Sequence, residues 1–133
     1  MLFRSVSWSS RKQSSVAQST AEAEYVAAAS CCSQILWMVS TLKDYGLIFA
    51  SVPLFCDNTS AINIAKNPVQ HSRTKHIDIR YHFLRDHVEK GDIVLHFVES
   101  EAQLADILTK PLDPTRFATL RSELGVIYPY GLV

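Results

Sequence analysis

Val52-Pro53-Leu54-Phe55-Cys56-Asp57-Asn58-Thr59-Ser60-Ala61-Ile62 is the stretch whose reading decides the fold. Its first five residues are mostly apolar and read as a short buried strand, weakened at one end by Pro53. Asp57 ends that run. Asn58 or Thr59 then opens a short helix through Ala61, Ile62 and Ala65, stopped by Asn67-Pro68. A strand that passes an acid at its carboxyl end straight into a helix is a unit of an α/β sheet, and substrates of such sheets gather at strand ends.

Upstream, Ser19-Thr20-Ala21-Glu22 has the form of a capping box, a hydroxyl cap followed three residues later by a glutamate. Tyr25, Ala28, Ala29, Cys32, Ile35, Leu36, Val39 and Leu42 then recur at helical spacing, with Gly46 as C-cap. Downstream, Ile77, Tyr81, Leu84 and Val88 mark a second amphipathic helix ending near Gly91, and residues 93–98 are β-rich. Ser100 with Gln103 can cap a further helix carrying Leu104 and Leu108, ended by Lys110-Pro111. Asp113-Pro114 opens a last helix, with Phe117, Leu120 and Leu124 as its stripe and Gly125 as its stop. Residues 6–9 allow one more short strand, and 68–75 form a polar loop. Two or three short strands are a poor floor for four helices, so this α/β sheet is expected to lack a strand.

At 133 residues the chain makes one domain, expected over 1–127 with a tail at 128–133. Acidic and basic residues balance at 13 each, so net charge argues neither for nor against a nucleic-acid partner. Cys31, Cys32 and Cys56 are an odd number and imply no disulfide framework, which favours a reducing compartment, cytoplasmic or nuclear. Residues 1–4 are too few for a signal peptide. Lys43, Asp44, Lys66 and Arg85 interrupt any apolar run before the roughly 18 residues of a membrane span, so no membrane partner is expected.

Three acids fall in contexts that metal-dependent phosphodiester chemistry would use: Glu24 on the alanine-rich helix, Asp57 at the strand end, and Asp106 on a later helix. Such hydrolysis needs an activated water and neutralised charge on both sides of phosphorus, which two Mg²⁺ ions about 4 Å apart supply. Mg²⁺ prefers oxygen ligands, so carboxylates suit it and thiols do not. Each acid also has a plain alternative. Asp57-Asn58-Thr59 can be a helix cap, Glu24 can favour the positive end of its helix dipole, and Asp106 can lie on a solvated face. Glu22 is the better capping residue, which leaves Glu24 without an obvious structural task.

Arg73, Lys75 and Arg80 fall within eight residues, joined by His71, His76 and His82. They would contact a phosphate backbone without reading bases, or form an ordinary solvated loop. The histidine spacings do not match a helical zinc motif.

Several stretches together resemble the RNase H domain of copia-type LTR-retrotransposon polyproteins. They are Ser7-Trp8-Ser9-Ser10-Arg11-Lys12-Gln13, Ser19-Thr20-Ala21-Glu22-Ala23-Glu24-Tyr25, Asp57-Asn58-Thr59-Ser60-Ala61-Ile62, the block at 66–83 that contains His71-Ser72-Arg73-Thr74-Lys75-His76, and Gln103-Leu104-Ala105-Asp106-Ile107-Leu108-Thr109-Lys110-Pro111-Leu112. The resemblance covers roughly residues 7–125, and the 71–83 block is its most specific part. It implies a ribonuclease H-like mixed sheet flanked by helices, and metal-dependent cleavage of the RNA strand in an RNA–DNA hybrid. By motif match the catalytic and metal-binding acids fall on Glu24, Asp57 and Asp106, with Arg73, Lys75 and Arg80 as nucleic-acid contacts. Hybrid recognition would lean on backbone shape and the ribose hydroxyl.

The same resemblance places a first catalytic aspartate on a strand upstream of the Ser-Trp-Ser-Ser motif, where this sequence begins. The expectation is therefore a domain truncated at its N-terminus, holding one Mg²⁺ (or Mn²⁺) weakly where the family holds two, without efficient hydrolysis on its own. The alternative is a non-enzymatic host protein derived from a retrotransposon. It would act by binding nucleic acid or by self-association through exposed strand edges.

Overall fold

The computed structural model describes residues 7–14, 16–67 and 78–126, with the side chains of 78–81 left aside. Its elements run α1 (Thr20–Asp44), β1 (Val52–Cys56), α2 (Thr59–Lys66), α3 (Asp78–Glu89), β2 (Ile93–Phe97), a 3-10 turn (Ser100–Ala102), α4 (Asp106–Thr109) and α5 (Pro114–Glu123). Two compact units result, Val16–Val98 and Met1–Ser15 with Glu99–Val133. Each is described by itself.

In the first unit, α1 starts where the capping residues place it. Ser19 Oγ accepts the Glu22 N–H at 3.2 Å, and the Glu22 carboxylate reaches back to accept the Gln18 N–H. The helix ends in a Schellman turn: Leu47 N–H donates to Leu42 O, Gly46 N–H donates to Lys43 O, and Gly46 sits at φ +81°. That left-handed conformation strains any residue with a Cβ, which is why glycine stands there. α1 is long and apolar enough by length and composition to cross a membrane. Its Tyr25, Val26, Ala28, Ala29 and Cys32 are instead buried in the protein core.

β1 and β2 pair in parallel, Leu54 opposite Leu95 and Phe55 opposite His96. Parallel strands need a crossover, and α2 with α3 supplies it. Leu54, Cys56, Ile93 and Leu95 point to one face, where they join Tyr25, Val26, Cys32, Ala61, Ile62 and Leu84 in a single core. Each fully buried large side chain there contributes about 1.5–3 kcal/mol relative to exposure. Pro53, Phe55, Val94 and His96 on the opposite face are exposed, and the Phe55 and His96 rings stack 5.7 Å apart. Val52 N–H donates to Asp92 O and Val98 N–H to Cys56 O, so Pro53 and Phe55 direct their backbone groups to the other edge of β1. His87 Nδ1 lies 2.7 Å from Asp92 Oδ2 and ties the end of α3 to the start of β2.

In the second unit the single helix expected after Ser100 is two short pieces. Ser100 begins a 3-10 turn, and Asp106 opens a four-residue helix rather than sitting within one. The last helix is as read: Asp113 Oδ1 accepts from Thr115 N–H and Arg116 N–H, with Pro114 at the first position. Residues 7–9 form no strand, and residue 6 lies outside the described residues, as does the boundary expected at 127/128. The α/β class holds, with two parallel strands among the described residues.

Candidate metal centre

Glu24 sits one turn into α1, half-buried, two residues past the capping Glu22. The cap absorbs Glu22, so the two acids have separate tasks, as the sequence suggested. Asp57 follows β1 directly. Asn58 Oδ1 accepts the Ala61 N–H at 3.0 Å, so the helix cap is Asn58. The stretch Asp57-Asn58-Thr59 thus does cap a helix, through Asn58, and α2 fixes the chain immediately beyond Asp57.

The packing of α1 against β1 brings three donors together. A Glu24 carboxylate oxygen, Cys56 Sγ and an Asp57 carboxylate oxygen all lie within 4.8 Å of one another. Cys56 is 6% exposed, and its S–H donates to Asn58 O at 3.6 Å. Burial pushes its thiol above the ordinary range, the negative charges of Glu24 and Asp57 add to this, and the Asn58 backbone, as a hydrogen-bond partner of the thiolate, opposes it. Gathering two carboxylates beside a buried thiol concentrates negative charge that a divalent cation would neutralise, and the group is capable of coordinating one.

Asp106 belongs to the second unit and has a different setting. It is 3% exposed, its Oδ1 is 2.8 Å from Lys110 Nζ, and its Oδ2 is 2.8 Å from Arg116 Nη2. Arg116 also donates to Ser100 O, so one guanidinium joins α5, the 3-10 turn and α4. Asp106 is thus not on a solvated face. Arg73 and Lys75 lie outside the described residues, and Arg80 is described only as backbone within α3.

Sequence reasoning gave Cys56 to the strand and missed it as a donor. The signal was present: two-residue alternation puts Cys56 on the face of Leu54, toward the helix that carries Glu24.

Three retrotransposon proteins share this sequence over nearly its whole length. The chain is 44% identical over 122 residues to the Retrovirus-related Pol polyprotein from transposon RE1 of Arabidopsis thaliana, which covers 91% of it. It is 42% identical over 123 residues, 92% of its length, to that from transposon RE2 of the same plant. Against that from transposon TNT 1-94 of Nicotiana tabacum the identity is 36% over 121 residues, 91% of the chain. This chain belongs to the copia-type retrotransposon Pol family. It spans 8–9% of the length of those relatives, so it matches one segment of a Pol polyprotein. No family model and no solved structure matches it. Within this Pol segment, the order α1–β1–α2–α3–β2, the parallel pairing and an acid on each of α1 and the end of β1 agree with a ribonuclease H-like topology.

Proposed function

We propose that this segment is the RNase H-like part of a Pol polyprotein and works on the RNA strand of RNA–DNA hybrids with divalent metal ions. The convergence of the Glu24 and Asp57 carboxylates from α1 and the end of β1 carries the reading. Glu24 and Asp57 would hold Mg²⁺ or Mn²⁺, which supplies charge neutralisation at the scissile phosphate. Asn58, by capping α2, keeps Asp57 oriented. The motif match also gives Asp106 a metal-binding role, for which Lys110 and Arg116 would have to yield its oxygens. Arg73, Lys75 and Arg80 remain the proposed backbone contacts. Among the described residues the cluster holds two carboxylates and a thiol, a thin donor set for two hard ions. Weak metal retention and poor hydrolysis by the isolated chain follow.

Hybrid affinity and cleavage, measured with a fluorescent RNA–DNA duplex across a Mg²⁺ and Mn²⁺ series, test this. The expected result is hybrid binding preferred over duplex DNA, with a divalent-ion dependence that Glu24→Gln and Asp57→Asn both weaken. Absence of any ion dependence and of any preference would overturn the assignment. Robust cleavage abolished by Asp57→Asn would overturn only the expectation of poor hydrolysis.

Self-association is the second reading, supported by the exposed outer sheet face with Phe55 57% and Val94 41% exposed. Pro53 counts against pairing by strand edges, because it removes an N–H from the edge it faces. Concentration-dependent sedimentation distinguishes face-mediated dimers from monomers.

A further inference from the structure

We infer that Cys56 makes the Glu24–Asp57 cleft a site for a thiophilic divalent ion of the zinc and cadmium class, bound by both carboxylates and the Cys56 thiolate. The inference rests on the reading of Glu24 and Asp57 as metal ligands and adds a specificity that a magnesium site does not have.

The donor set carries it. Magnesium takes about six oxygen ligands at short, rigid distances and has little affinity for sulfur. Zinc accepts carboxylate oxygen and thiolate in one tetrahedral shell, with bonds of about 2.0–2.3 Å. Such a shell sets donor atoms about 3.5 Å apart. The three donors already lie within 4.8 Å of one another, close to that spacing.

The framework is also suited. Glu24 stands on a helix of 25 residues, Cys56 is the last residue of β1, and Asp57 is followed by the Asn58 cap. Glu24 and Cys56 are therefore anchored on elements, and Asp57 stands in the two-residue connection between β1 and α2. Cys56 is more than nine-tenths buried on the face that meets the helices, so its sulfur is held there, and the weak 3.6 Å contact to Asn58 O is readily given up. On binding, the thiol loses one proton to solvent and its sulfur takes the metal bond, so the ion's two positive charges face three anionic donors and the site keeps a net single negative charge. Because the carboxylates are shared, a bound thiophilic ion excludes magnesium.

The experiment uses the full chain, reduced and stripped of metal, with Cys31→Ser and Cys32→Ala removing the other thiols. Cadmium is titrated and the sulfur-to-cadmium charge-transfer absorption followed, with circular dichroism confirming the fold. A single equivalent should saturate the band, and magnesium should raise the midpoint. Cys56→Ser should abolish the band, and Glu24→Gln and Asp57→Asn should each weaken cadmium by about tenfold or more, at least what loss of an outer-shell partner does. No band, or a midpoint indifferent to both acid substitutions, overturns the inference. For the unaltered chain loaded with zinc, X-ray absorption should report one sulfur among oxygens, and an all-oxygen or many-sulfur shell overturns it equally. Failure here with manganese still bound through Glu24 and Asp57 leaves the hybrid reading intact. A clean cadmium site in a chain indifferent to hybrids sinks that reading alone.

Discussion

Asp106 is surrounded by cations, whereas Glu24 and Asp57 are brought up against each other and a buried thiol. Asp106 is buried, and Glu24 and Asp57 are half-buried. In the first, Lys110 and Arg116 offset the desolvation of the carboxylate, so the folded chain is complete as it stands. In the second, two carboxylates converge beside a thiol, an arrangement that a divalent cation would stabilise. Stability favours the first arrangement, and ligand binding the second.

Replacing acids should therefore have opposite signs in the two places. Asp106→Ala leaves Arg116 without its carboxylate partner. Because Arg116 and Lys110 keep partial solvent access, we expect a loss of about 2–3 kcal/mol, below that of a fully buried pair, read from urea unfolding. A neutral result would mean that the ion pairs are exchangeable and would bring Asp106 closer to a ligand's role. Glu24→Gln should instead leave stability unchanged or raised by about 0.5 kcal/mol while lowering affinity for Mn²⁺ by about tenfold, measured by calorimetry. A destabilised Glu24→Gln would erase the contrast.

Asn58→Ala sharpens it from the side. Loss of the cap should destabilise the chain by about 1 kcal/mol and weaken metal binding through Asp57, with Asp106 unaffected. The last effect is confined to alkaline pH. Burial, then Cys31 and Asp92, push the Cys32 thiol from 9.0 up to about 11. Between those values the unfolded chain releases its proton first, so stability is intact below about pH 9 and falls as pH rises toward 11. Urea midpoints across that window should fall less in Cys32→Ala.

Local chemistry was legible in the sequence. Ser19, Asn58 and the Asp113-Pro114 pair announced three helix starts, and Gly46 and Gly91 two stops, because caps and left-handed turns depend on a few neighbouring residues. Glu24 could be separated from Glu22 for the same reason. What escaped depends on distant partners. Arg116 captures Asp106 from ten residues away across Pro111, and no periodicity encodes that pairing. The helix expected around Leu104 and Leu108 broke into a 3-10 turn and a four-residue helix. Cys56 became a donor only through the packing of α1 on β1, which brings Glu24 beside the strand end.

Pro53 has a consequence for the molecule in a crowd. A visiting strand that lies along the outer margin of β1 can ladder only with the groups of residues 53 and 55, and at 53 it meets a ring in place of a donor. Stacking of one copy upon the next in register is interrupted at its first rung. The chain is thereby guarded against fibrous growth at this margin.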